Sequence, residues 1–170
     1  MRIRKASRDD AESVGEVDVQ AFLKSGWGQA HDMARDNGLQ RRRRERSCEF
    51  CQSHPDWVGV AVEDDQIVGF VSFEYDADHR IGRIENNATL PEYRDRGVST
   101  QLVRYAVAEL ARLGAERIHL RTIHVPAACR VYEKAGFQLA KTMHEPDSDG
   151  GPAASMQYYE MRVEPNGDSP

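Results

Sequence analysis

Between residues 83 and 122 the hydrophobic period changes from strand to helix and back again, and few folds accommodate that order. Residues 83–90 read as a strand. Residues 98–113 then place Leu102, Ala106, Leu110 and Leu113 on one helical face, widened by Val103 and Val107, with Gly114 as the stop. Residues 117–122 return to a strand carrying Ile118 and Leu120 on one side. A helix-connected crossover between two strands therefore lies near the middle of the chain, as in a mixed α/β layer.

The flanking segments fit around that unit. Residues 2–6 form a short first strand, and Ser7 with Asp10 three residues later resembles a capping box. The helix that follows buries Ala11, Val14, Val17 and Ala21. Gly26-Trp27-Gly28 breaks the pattern, and a second helix is expected over 32–52. Residues 57–62 and 67–73 are rich in β-branched and aromatic side chains, and the turn 63–66 joins them as a hairpin. Pro126 opens another helix ending at Ala135 before Gly136. Residues 137–144 and 157–163 close the sheet around a polar loop, and 164–170 is a loose tail. One domain over 1–163 is the expected organisation.

With 170 residues, 39% hydrophobic and 30% charged, the chain suits one soluble core. No apolar run approaches the ~20 residues that span a bilayer, and no apolar stretch follows the basic N-terminus, so a cytoplasmic location is expected. A net charge of −5 disfavours nucleic-acid binding. Residues 40–46, with five arginines, read as a solvated helix face; an acidic acceptor or a coenzyme phosphate is the alternative. Cys48, Cys51 and His54 lack the further ligands a metal site would need, so no metal is expected and the thiols read as half-buried on a helix. His119 and His124 flank the end of the crossover strand and are assigned no role. Trp27, Trp57, Tyr158 and Tyr159 read as core or pocket wall.

The chemistry concentrates in Pro91-Glu92-Tyr93-Arg94-Asp95-Arg96-Gly97-Val98-Ser99-Thr100, between a strand and the strongest helix. Glycine admits close backbone approach or positive φ. The unpaired N–H groups and positive dipole end of the helix favour a phosphate, and two arginines add charge. This is a pyrophosphate cradle without the G-K-[ST] of a Walker loop.

Arg94, Gly97 and Ser99 after Pro91-Glu92-Tyr93, and Ala128 ahead of Val131-Tyr132-Glu133-Lys134-Ala135-Gly136-Phe137, resemble the two motifs of the GNAT superfamily of acetyl-CoA-dependent N-acetyltransferases. Ser99 stands where glycine or alanine is usual, and Val125 where many members have asparagine. The resemblance implies a central, mostly antiparallel twisted sheet flanked by helices. It also implies direct transfer of an acetyl group from acetyl-CoA to a small-molecule or peptide amine in a ternary complex. Coenzyme contacts would fall on Thr89, Leu90, Arg94, Asp95, Arg96, Gly97, Val98, Ser99, Thr100, Ala128 and Arg130, with the backbone N–H groups of Thr89 and Leu90 on the pantetheine arm. Glu85 stands where several members carry a general base; a solvent-facing strand residue is the alternative. Tyr132 matches the tyrosine that protonates the departing thiolate; a buried packing tyrosine is the alternative. A homodimer through the sheet edge, with 157–163 as the edge strand, is a further implication. A non-catalytic acyl-CoA-binding module of the same fold is the rival reading.

Overall fold

A computed structural model describes residues 1–146 and 153–164. The elements run β1 (Arg2–Lys5), α1 (Ala11–Leu23), α2 (Gly26–Ala30), α3 (Asn37–Ser53), β2 (Val58–Glu63), β3 (Gln66–Asp76), β4 (Ile81–Thr89), α4 (Val98–Leu113), β5 (Arg117–Ile123), α5 (Pro126–Ala135), β6 (Gln138–Pro146) and β7 (Ala153–Arg162). They build a seven-stranded sheet in the order β1-β2-β3-β4-β5-β7-β6. Every neighbouring pair is antiparallel except β4 and β5, which α4 connects. The mixed α/β architecture expected from the sequence is the one observed.

Local chemistry accounts for most boundaries. Asp64 and Asp65 adopt φ of 49° and 60°, the left-handed pair that a two-residue hairpin between β2 and β3 requires. Helices α4 and α5 stop at Gly114 and Gly136, both left-handed at φ 101° and 102°. The α4 side chains Leu102, Val103, Ala106 and Leu110 are fully buried against one face of the sheet. On the other face α1 lies over β3 and β4, and α3 packs on the outside of α1. Among the described residues no helix is long and apolar enough to cross a membrane.

Several expectations need correction. The Gly26-Trp27-Gly28 break is itself a short helix, because Ser25 caps it by accepting from the Gly28 N–H at 3.0 Å. The next helix starts at Asn37 rather than near Asp32, since Asp36 takes the N-cap and accepts from the Leu39 N–H at 2.8 Å. The basic run does not lie wholly in solvent: Arg43 is 4% exposed. Strand β7 is not the sheet edge. It sits between β5 and β6, so the edge strand on that side of the sheet is β6, as β1 is on the other. The middle of the polar loop, 147–152, and the tail from 165 lie outside the described residues. Of the Cys48/Cys51 pair on α3, Cys51 is fully buried, and burial, with Asp10 and Cys48 nearby, pushes its thiol up to about 11.

The capping box is present and carries an ion pair. Asp10 accepts from the Ser7 N–H at 2.7 Å and the Ser7 hydroxyl at 2.9 Å, while the Arg4 guanidinium forks onto it at 2.7 and 2.9 Å. Arg4 chiefly, then the Ser7 donors, hold the Asp10 carboxyl at about 2 against the opposing effect of burial. A depressed carboxylate stabilises the fold fully above its ordinary value of 3.8, and that contribution disappears as pH falls through about 2. Asp10→Asn should therefore cost about 2 kcal/mol at pH 6 and only a few tenths near pH 2. Urea unfolding of both proteins across that range checks the convergence.

Candidate active site

Strands β4 and β5 pair in parallel only from Ile81↔Arg117 to Ile84↔Leu120. Beyond that point β4 runs on to Thr89 beside β3 alone, and β5 runs on to Ile123 beside β7 alone. The sheet therefore opens into a wedge. The parting coincides with a β-bulge: Phe73 faces Ile84 and Ser72 faces Asn86, so Glu85 is the extra residue. Such a residue bends the strand and breaks the alternation of its faces. After it, Asn87 and Thr89 face α4, where Thr89 Oγ1 meets Ser99 Oγ at 2.8 Å and Asn87 Nδ2 reaches the Ser99 carbonyl at 3.5 Å. Asn86 faces α1.

At the wide end of the wedge the chain turns into α4. Asp95 and Gly97 are both left-handed, at φ 59° and 77°, and Gly97 is the N-cap. The Arg94 N–H is bonded to Pro91, and the Gln101 N–H to Gly97. Between them, the N–H groups of residues 95–100 find no backbone carbonyl among the described residues. A run of such donors at a helix start is a nest for an anion.

The arginines of the loop hold it in place. Arg94 donates to the Ala21 carbonyl at 2.6 Å and the Lys24 carbonyl at 3.2 Å, fastening the loop to the C-terminal end of α1. Arg96 bonds Glu63 at 2.6 Å and lies 5.0 Å above the Tyr93 ring. Of the two pantetheine donors expected from the sequence, Leu90 is corrected. Its N–H is bonded to the Val68 carbonyl at 2.9 Å, whereas alternation along β4 turns the Thr89 N–H toward the open edge. Val98 is buried, Ser99 and Thr100 half-buried, Ala128 half-buried and Arg130 exposed. Asn87 was missed by motif reasoning. Its Oδ1 is buried without a hydrogen-bond partner, beside the first turn of α4.

Glu85 and Tyr132 lie on opposite faces of the sheet. Glu85 shares the α1 face with Asn86 and is exposed. Its carboxyl is nevertheless raised above the ordinary range, first by partial desolvation and then by Glu74, with Arg83 and Arg121 opposing. Tyr132 is 9% exposed on α5, edge-on to Phe137 at 6.4 Å and tilted against Tyr159 at 5.9 Å. Burial, then Cys129, pushes its hydroxyl up to about 12, so it holds its proton at neutral pH. Cys129 itself donates to Gln157 Oε1 at 2.8 Å, which also accepts from the Tyr159 hydroxyl at 3.1 Å. Trp27 and Tyr159 are core, while Trp57 and Tyr158 are half-buried.

An opened sheet beside an anion nest, flanked by a raised carboxyl and a protonated tyrosine, can take a phosphate-bearing ligand and exchange protons on either side of it. The sequence pattern of the Acetyltransferase (GNAT) family matches residues 25–137, and the chain belongs to that family. Acetyl-coenzyme A is the family's acyl donor. The fold is similar to that of PaiA N-acetyltransferase from Thermoplasma acidophilum in complex with coenzyme A, at 17% identity and TM-score 0.71, covering 95% of this chain and 98% of that one. It is also similar to YncA of Salmonella typhimurium with its cofactor acetyl-CoA, at 17% identity and TM-score 0.73, covering 96% and 94%. A third neighbour is ribosomal-protein-alanine N-acetyltransferase from Brucella melitensis, at 15% identity and TM-score 0.73, covering 96% and 100%. No curated relative matches the chain in sequence.

The nest makes a separable prediction. A Cβ on Gly97 would meet nothing nearer than Gln101 Nε2 at 3.9 Å, so an alanine there suffers only from its left-handed φ. Gly97→Ala should cost about 1–2 kcal/mol of stability and still bind coenzyme A. Gly97→Glu puts a negative charge beside the donors and should abolish binding by calorimetry.

Proposed function

We propose that this chain transfers the acetyl group of acetyl-CoA to a primary amine, small or peptidic, by direct attack in a ternary complex. The parting of β4 and β5 beside the uncommitted N–H groups of residues 95–100 carries this reading. Those N–H groups would hold the pyrophosphate, with Thr89 and Asn87 along the open edge for the pantetheine arm. Acetyl-CoA supplies the acyl group already activated as a thioester. The name of the Brucella melitensis neighbour, an alanine N-acetyltransferase, supports an amine as acceptor. Three free thiols suit a reducing, cytoplasmic setting.

The residues on the two faces divide the proton chemistry. An aliphatic ammonium, with a pKa near ~10, cannot attack a carbonyl until it is deprotonated. Glu85 receives that proton on the α1 face, directly or through water. Its raised carboxyl brings base and amine closer in affinity for the proton. Tyr132, protonated on the α5 face, donates to the departing thiolate sulfur. The wedge is the passage between them through the sheet, so amine and thiol sides stay separate.

Glu85→Gln should lower turnover on the order of a hundredfold, with coenzyme affinity retained. Raising the pH should partly rescue it, because more amine is then neutral. Tyr132→Phe should slow turnover too but gain less from high pH, since it lacks a donor rather than an acceptor. A pH–rate profile of each variant with the best acceptor of an amine panel tests both roles. Wild-type profiles in both would remove these side chains from the mechanism. Coenzyme binding with no turnover of any amine would leave a non-catalytic binding module.

We also propose a homodimer through the free edge of β6, where Leu139 and Met143 are 49% and 42% exposed. A two-fold axis at Met143 in an antiparallel pair would set Lys141 of each copy against Glu145 of the other. Light scattering should report twice the 19.2 kDa chain mass, and Met143→Pro should return it to monomer. A monomer at micromolar concentration rules the dimer out.

A further inference from the structure

The least expected feature beside the site is a buried ion pair. Asp18 on α1 is 0% exposed and Arg43 on α3 is 4% exposed, with Arg43 Nη2 2.8 Å from Asp18 Oδ1. Ser47, one turn further along α3, donates to Asp18 Oδ2 at 2.6 Å. The Arg43 guanidinium lies 3.8 Å from the Phe22 ring centroid and 4.5 Å from that of Trp27. A third donor reaches the same carboxylate: Asn86 Nδ2 contacts Asp18 Oδ1 at 3.3 Å. Three donors from two elements, α3 and β4, thus converge on one acid of α1.

Burying such a pair is costly, and apolar replacements often serve stability equally well, so stability alone is a poor account of it. Its position suggests another. Asn86 directly follows Glu85, the extra residue of the bulge. A bulged residue has no partner across the ladder, so the sheet itself does not fix where Glu85 points. The Asn86 amide, next to Glu85, ties the bulge to the buried frame of α1 and α3.

We propose that Asp18 is a positioning residue for Glu85, acting through Asn86; the inference rests on the reading of Glu85 as the base. Asp18, clamped by Arg43 and Ser47, holds Asn86, and Asn86 holds the bulge so that the Glu85 carboxylate meets the incoming amine. The charged and titratable groups around Glu85 are Glu74 on β3, Arg83 on β4, and on β5 Arg121 and, two residues before it, His119, which pairs with Arg83. A loosened bulge lets Glu85 swing out toward water, away from the environment that raises it.

Asn86→Ala tests the link without touching the ion pair. Its kcat should fall on the order of tenfold, as for a base misplaced by a fraction of an ångström, with KM for acetyl-CoA unchanged. The acid limb of its pH–rate profile should move to lower pH. In a Glu85→Gln background the same substitution should cost nothing more, because the group it positions is gone. Asp18→Ala alone removes the buried carboxylate that Arg43 is bonded to and could unfold the chain, so it is combined with Arg43→Met. That double variant, with its fold checked by circular dichroism, should reproduce the Asn86→Ala profile. Wild-type kcat in Asn86→Ala, or an equal fold-loss in both backgrounds, overturns the proposal. Wild-type turnover in Glu85→Gln alone removes the base reading beneath it, a different result from either.

Discussion

Everything at the candidate site depends on the short parallel pairing of β4 with β5. Four residue pairs join the strands, and then each continues beside a different neighbour. Continuous pairing would seal the sheet and leave Glu85 and Tyr132 on two faces with no route between them. The bulge at Glu85 sits at the last pair and bends β4 away. The nest at α4 can stand at the wide end of the gap because the same strand leads directly into it.

The loop of the nest is rigid for reasons other than its ligand. Arg94 is fixed on two carbonyls of α1, and Arg96 on Glu63 at the β2–β3 turn. A helix and a turn of the sheet therefore both brace the loop, and donors already held in place bind an anion with less entropic cost. The arginines contribute geometry at least as much as charge.

What the sequence showed clearly was local. Helices α4 and α5 were legible to the residue because their glycine stops and apolar stripes lie within a few turns. The two family motifs were legible for the same reason. What stayed hidden was non-local. The burial of Arg43 depends on Asp18, 25 residues earlier, and a run of consecutive arginines reads as a solvated face until that partner is known. The interior place of β7 is a matter of strand order, which no periodicity encodes. The engaged N–H of Leu90 is a question of which edge of β4 faces β3, and a motif is silent on it. The bulge at Glu85 left no mark in the sequence either, although it decides the face on which Asn86 meets Asp18.

The insertion of β7 between β5 and β6 has a consequence for the chain as it is made. Strand β5 ends at Ile123, yet its outer edge is covered only by residues 156–162. At roughly 5–20 residues per second of synthesis, that edge waits a few seconds for its partner. Strand β6 emerges first and could pair with β5 in its place, a register that would have to be undone to admit β7. The half-built sheet is thus most exposed to mispairing and to capture by other nascent chains during that interval, and a chaperone would find its target there.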